Sequence, residues 1–179
     1  MRRPIVEACR STQSLVRLTY ASTATFEPNA SGGIEVAVGQ VLVESRRNNK
    51  KQKIGGVLHY GNGYFFQCLE GERQAVEDCF QRVCDDSRHR DVRRLSHVTV
   101  DRRLFPDWSM KYLPAESEIT NLLRRHNMEF NPYRFDDTML SEMLEACARG
   151  HDPSDDGTGD KSSARPQKPS MWKRLIGAA

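Results

Sequence analysis

Along most of this chain, apolar residues recur alternately at a spacing of two and at a spacing of three to four, the periods of strand and helix. Residues 15–20 (Leu15-Val16-Arg17-Leu18-Thr19-Tyr20) read as a strand with Val16, Leu18 and Tyr20 on one face. Residues 27–33, with Pro28, Gly32 and Gly33, read as a loop. Ile34, Val38, Val41 and Leu42 then fall at helical spacing, and Ser45 extends the stripe, which predicts an amphipathic helix running to about Arg47. Two strands, 56–60 and 64–70, follow, joined through Gly61-Asn62-Gly63, and Asn-Gly between apolar runs signals a tight hairpin. A second helix over 73–87 buries Val76, Cys79, Phe80 and Val83. Strands are expected over 95–100 and 108–112. The order β-α-β-β-α-β-β predicts an α+β, ferredoxin-like sandwich with an added edge strand.

Beyond Pro114 the pattern changes. Ile119, Leu122 and Leu123 predict one short helix. Asp136 or Asp137 caps another, with Leu140, Met143, Leu144 and Cys147 on one face and Gly150 at its end. A sandwich with helices on one sheet face leaves the other face bare, and these two helices are expected to cover it. Residues 151–170 are polar and rich in Pro and Gly, the composition of a disordered tail. Residues 171–176 form a short basic-apolar tag. The chain thus divides into a lead-in (1–14), a core domain (15–114), a helical extension (115–150) and a tail (151–179).

One residue breaks the pattern. In Phe65-Phe66-Gln67-Cys68-Leu69, alternation puts Gln67 on the face that carries Phe65 and Leu69. A carboxamide held there without partners costs about 1–3 kcal/mol, so donors and acceptors from the protein or from a ligand must meet it. In a ferredoxin-like sheet the first and third strands are neighbours, which brings Tyr20 beside Gln67. A phenol can donate to the glutamine oxygen while the amide NH2 points to a third group. Asn49 at the end of the first helix, and Trp108 with Met110 in the last strand, are further polar or aromatic residues where the pattern predicts burial.

Composition narrows the classes of function. Hydrophobic residues make up 37% of the 179, and no apolar run approaches the length of a membrane span. The start has two arginines but no following apolar stretch, so it does not read as a secretory signal. Five cysteines without CxxC spacing point to reduced, mostly buried thiols and a cytoplasmic protein. His59, His97, His126 and His151 have no metal-ligand partners at credible spacing. The formal net charge is only +3, but Arg46, Arg47, Lys50, Lys51 and Lys53 are clustered. They read as a solvated helix end that suits the C-terminal dipole. The alternative reading is a nucleic-acid-binding ferredoxin-like module, although no aromatics interleave for base stacking. An acylphosphatase-like hydrolase is a second alternative, but no glycine-rich phosphate cradle accompanies Asn48-Asn49.

Taken together, Tyr20, the helix exit Ser45-Arg46-Arg47-Asn48-Asn49, Ile54-Gly55-Gly56-Val57-Leu58, Phe65-Phe66-Gln67-Cys68-Leu69-Glu70-Gly71 and Trp108-Ser109-Met110 resemble a BLUF domain, the flavin-binding sensor of blue light. The resemblance covers about residues 15–114. The separation of eighteen positions from Asn49 to Gln67 matches the family spacing. It implies FAD, with FMN or riboflavin as alternatives, between the two helices. It implies Asn49 on the ring's carbonyl edge with Asn48 in support, Arg82 at the pyrimidine-side carbonyl, and Ser45 at the helix exit. Tyr20 would be the electron and proton donor, Gln67 the group that rearranges, and Trp108 and Met110 the relay to the last strand. Arg82, Asp86 and His89, at i, i+4 and i+7 and with Arg88 nearby, form a polar stripe suited to ribityl and phosphate groups. The connection from Tyr20 to the first helix is longer than the family pattern.

The expected function is therefore light-switched protein–protein signalling rather than catalysis. The resemblance implies a short photoreceptor without an effector enzyme on the chain, a downstream protein partner, a homo-oligomer, no nucleic acid and no membrane span.

Overall fold

In the computed structural model, residues 14–26, 36–113 and 118–150 are described. Residues 1–13 of the lead-in, the expected loop over 27–33, Ile34 and the tail with its basic-apolar tag lie outside them. Among the described residues, five strands and four α-helices follow one another as β1 (Leu15–Ala24), α1 (Val36–Gln52), β2 (Gly55–Gly61), β3 (Tyr64–Glu72), α2 (Arg73–Cys84), β4 (His89–Thr99), β5 (Lys111–Leu113), α3 (Glu118–Arg125) and α4 (Asp137–Arg149). A 3-10 turn, Pro132–Arg134, precedes α4. The sheet order is β4-β1-β3-β2-β5, antiparallel except for the parallel β2–β5 pair. This is the expected ferredoxin-like sandwich with its extra edge strand.

The sequence places the core on both faces. Val16, Leu18, Tyr20, Leu58, Phe65 and Leu69 turn one way to meet Val38, Val41 and Leu42 of α1 and Val76 and Cys79 of α2. Val57, Phe66, Cys68 and Leu113 turn the other way and are covered by Ile119 and Leu122 of α3 and Met139, Leu140, Met143 and Cys147 of α4. The hairpin between β2 and β3 turns on Asn62 (φ 50) and Gly63 (φ 77), the pair of positive angles that a two-residue primed turn requires. The N-cap of α4 is Asp136, whose Oδ1 accepts the Met139 N–H at 2.8 Å.

Several boundaries differ from those expected. β1 continues four residues past Tyr20 because Ser22 and Thr23, polar and so invisible to a hydrophobic pattern, pair with Phe65 and Tyr64. β4 begins at His89 rather than Leu95. The charged stretch from His89 to Arg94 is an edge strand, with His89 opposite Ala24 and its arginines exposed. α2 stops at Cys84, so Asp86 and His89 stand in the turn and the next strand rather than on a helical stripe. α1 runs on to Gln52 instead of about Arg47. It ends through Lys53 in the left-handed region (φ 54), which lets the Ile54 N–H reach the Asn49 carbonyl at 2.9 Å. β5 is confined to Lys111–Leu113, and Trp108 lies outside it.

Candidate functional site

Register brings the first pair together. Tyr20 and Gln67 are directly opposed on β1 and β3 and are 0% and 2% exposed. The Tyr20 hydroxyl donates to Gln67 Oε1. The amide Nε2 donates to Met110 Sδ at 3.3 Å, a weak acceptor for a buried amide. Burial holds the Tyr20 phenol well above its usual pKa, with Cys79, Cys84 and Asp86 adding to the effect, so it stays protonated and remains a donor.

Gln67 also lines a cleft of about 200 Å³ between α1 and α2. From α1 come Val41, Glu44, Ser45, Asn48 and Asn49; from α2 and the turn beyond it, Cys79, Arg82, Val83, Asp86, Arg88 and His89. Asn49 is 1% exposed; its amide donates to Ser109 O at 3.0 Å, and its Oδ1 accepts from Cys79 Sγ at 3.5 Å. Thiol and carbonyl are what the protein itself offers this amide. Ser45 and Asn48 make no side-chain hydrogen bond within the described chain. Arg82 is exposed and reaches Gln52 Oε1 at 2.9 Å.

At the mouth of the cleft, Arg88 Nη2 bonds Asp86 Oδ2 and Glu44 Oε2, each at 2.6 Å. The Arg88 hydrogen bonds hold the Asp86 carboxyl below the usual range, and the same partners push the Arg88 pKa upward. His89 Nδ1 pairs with Ser22 Oγ at 2.7 Å, and its ring lies 4.5 Å from that of Phe65. Burial lowers its pKa to about 4, so the imidazole is neutral near pH 7.

The structure therefore gathers Tyr20, Gln67, Met110, Asn49, Asn48, Ser45, Arg82, Asp86, Arg88 and His89 around one cleft and its wall. Trp108 is not among them. Expected on the same face as Met110 at strand spacing, it precedes the strand, and Lys111 Nζ lies 5.4 Å from its ring centroid. Sequence reading missed Glu44, Ser22 and Cys79 as contributors. Glu44 and Arg88 pair across 44 positions, which gives no local signal.

A family model described as sensors of blue-light using FAD matches residues 15–111. The chain belongs to the BLUF family. Among solved structures, BlsA in its photo-activated state is similar at 31% identity and TM-score 0.69, covering 77% of this chain and 97% of that one. BlrB in its dark state follows at 27% identity and TM-score 0.60, covering 76% and 96%. A photoactivated adenylate cyclase subunit beta from Euglena gracilis is 33% identical over 108 residues, which are 60% of this chain. The chain spans only 12% of the length of that curated relative.

BLUF domains sense blue light with a bound flavin, and the residues here fit that group. A buried amide with only a thioether to receive its proton, two side chains without partners, apolar Val41 and Val83, and the cations Arg82 and Arg88 all face the cleft. Among the described residues, no helix is long and apolar enough to cross a membrane.

Proposed function

We propose that this chain is a blue-light receptor whose flavin lies in the cleft between α1 and α2 and whose switch is the Tyr20–Gln67–Met110 chain. A bound flavin supplies blue-light absorption and, once excited, an oxidant for a neighbouring phenol. The protein supplies the rest. Asn49 and Asn48 present amides to the ring's carbonyl edge, with Ser45 and Arg82 beside them. Arg88 and Asp86 stand at the mouth, where a ribityl chain and phosphates would emerge, and buried His89 lines the same cleft. FAD is the reading favoured by the family, and the same ring is common to FMN and riboflavin.

Tyr20 can release an electron together with its phenolic proton, because the hydroxyl already points at Gln67 Oε1. Gln67 can exchange its donor and acceptor ends, and this gives two arrangements of similar energy. Either exchange changes what Met110 receives, and Met110 is followed directly by β5. The carrying observation is this buried, directional chain at the cleft wall.

The output is photochemical rather than a turnover of substrate, and passes from β5 to a protein partner, with α3 and α4 as the surface presented. Three buried free thiols, Cys68, Cys79 and Cys147, suit the reducing cytoplasm. Exposed Val36 and Val43 on one side of α1 suit a homo-oligomer. Relatives named as photoactivated adenylate cyclases are consistent with an effector as the receiver of the signal.

The test is an absorption spectrum of purified, flavin-loaded protein before and after blue light. A reversible red shift is expected in the native chain, and Tyr20→Phe should keep the flavin but lose the shift. Protein that does not retain added flavin, or a Tyr20→Phe variant with an unchanged photocycle, would overturn the proposal.

A further inference from the structure

A second cavity, of about 440 Å³, opens beside the end of α1 and is walled by Lys50, Lys53, Arg103 and Trp108, with Ile54 and Gly55 behind them. Its size falls within the range of small-ligand sites, roughly 300–1,000 Å³. Three cations line it, and none forms an ion pair among the described residues. Arg103 donates only to the Lys53 carbonyl. Asp107 is the single carboxylate in the wall and pairs with none of the three. Unneutralised like charges lining one cavity repel one another and raise the local anion concentration.

The cavity is built rather than incidental. Gly55 fixes its wall: a Cβ there would lie 2.5 Å from Phe105 O and 3.3 Å from both Arg103 Nη1 and Trp108 O, so only glycine lets the 101–110 connection lie against β2. The Gly56 N–H then binds Trp108 O at 3.1 Å and fixes the indole's backbone beside the lysines. Positive charge and an aromatic residue in the same wall, the indole lying also 5.4 Å from Lys111 Nζ, are complementary to a phosphate joined to a planar base.

We propose that this cavity binds a mononucleotide, its phosphate held by Lys50, Lys53 and Arg103 and its base against Trp108. This goes beyond light sensing and is independent of it, since binding is measured in the dark. Flavin-loaded protein, with the α1–α2 cleft filled, is titrated calorimetrically with AMP, adenosine and inorganic phosphate. AMP is expected to bind saturably, about tenfold more tightly than either fragment, and to weaken as salt is raised. Lys50→Gln/Lys53→Gln should weaken AMP about tenfold or more in protein that still holds its flavin. Trp108→Ala should weaken AMP while leaving phosphate unaffected. No binding at millimolar AMP, AMP binding untouched by the lysine changes, or equal binding of AMP and phosphate would each overturn the assignment.

Discussion

Both faces of the sheet bury polar side chains, but they satisfy them differently. On the face covered by α3 and α4, Glu70 is fully buried and saturated: Arg17 Nε donates at 2.6 Å, and the Leu104 and Phe105 amides donate at 2.9 Å. His59 on that face bonds Leu113 O at 2.9 Å, and Lys111 Nζ bonds Ala148 O at 3.0 Å, a cation at the C-terminal end of α4. On the face covered by α1 and α2, Gln67 has a thioether as its acceptor, Asn49 a thiol as its donor, and Asn48 none. The first set closes on itself and ties the 101–110 connection to the sheet. The second is left open toward a cleft. Burial alone does not distinguish structural from functional polar groups; the quality of their partners does.

The largest effect should come from the saturated face. Glu70→Leu removes the acceptor of one guanidinium and two backbone amides, and breaking such a buried pair costs about 3–5 kcal/mol. Denaturant unfolding should show that loss. A loss below about 1 kcal/mol would mean that the network is not structural, since even one stranded buried donor costs at least that.

Protonation probes both faces together. Burial lowers His59 and His89 alike to about 4 from an ordinary 6.5, against a raising influence of the Leu113 hydrogen bond on the first and of Asp86 on the second. The unfolded chain binds these protons more readily, so stability rises with pH, is fully present above about 6.5 and is lost as pH falls toward 4. Each histidine contributes up to about 3 kcal/mol, from (6.5 − 4) × 1.36. Unfolding measured from pH 7 to 4 should lose slope in His59→Gln and in His89→Gln. Flavin loading should alter the share of His89, which lines the cleft, and leave that of His59 unchanged. Equal responses to flavin would erase the contrast between the faces.

Gln67→Leu should separate stability from function. The Tyr20 hydroxyl loses its acceptor, at a cost of about 1–2 kcal/mol, while the light-induced red shift disappears because leucine cannot exchange donor for acceptor. A full red shift in this variant would remove Gln67 from the switch.

The same contrast explains what could be read from sequence. Tyr20 and Gln67 were legible because strand alternation fixes their face, and the Gly61-Asn62-Gly63 turn because its backbone angles demand those residues. Glu70 was not, since a glutamate near a strand end looks like the first solvent residue, and its amide partners lie 34 and 35 positions away. β4 was obscured because an edge strand can carry exposed Arg90, Arg93 and Arg94, which no hydrophobic alternation marks. Trp108 was misplaced because period-two spacing was extended beyond the three residues that pair with β2. Local rules hold where both neighbours in a sheet impose them and fail at its edges.

The smallest expected effect on stability is the sharpest test of the open face. Asn48 is half-buried on α1 and bonds nothing in the described chain, so Asn48→Ala should change unfolding free energy by no more than about 0.5 kcal/mol. If its amide is reserved for the flavin, losing one hydrogen bond should weaken flavin affinity about two- to tenfold. Titration of flavin-free protein with FAD, followed by fluorescence quenching, measures this directly. An unchanged affinity would place Asn48 outside the binding set and leave Asn49, already held by Ser109 and Cys79, to meet the ring without it. A stability loss comparable to that of Gln67→Leu would show instead that Asn48 has a structural partner, and the difference between the two faces would narrow to Gln67 and Asn49.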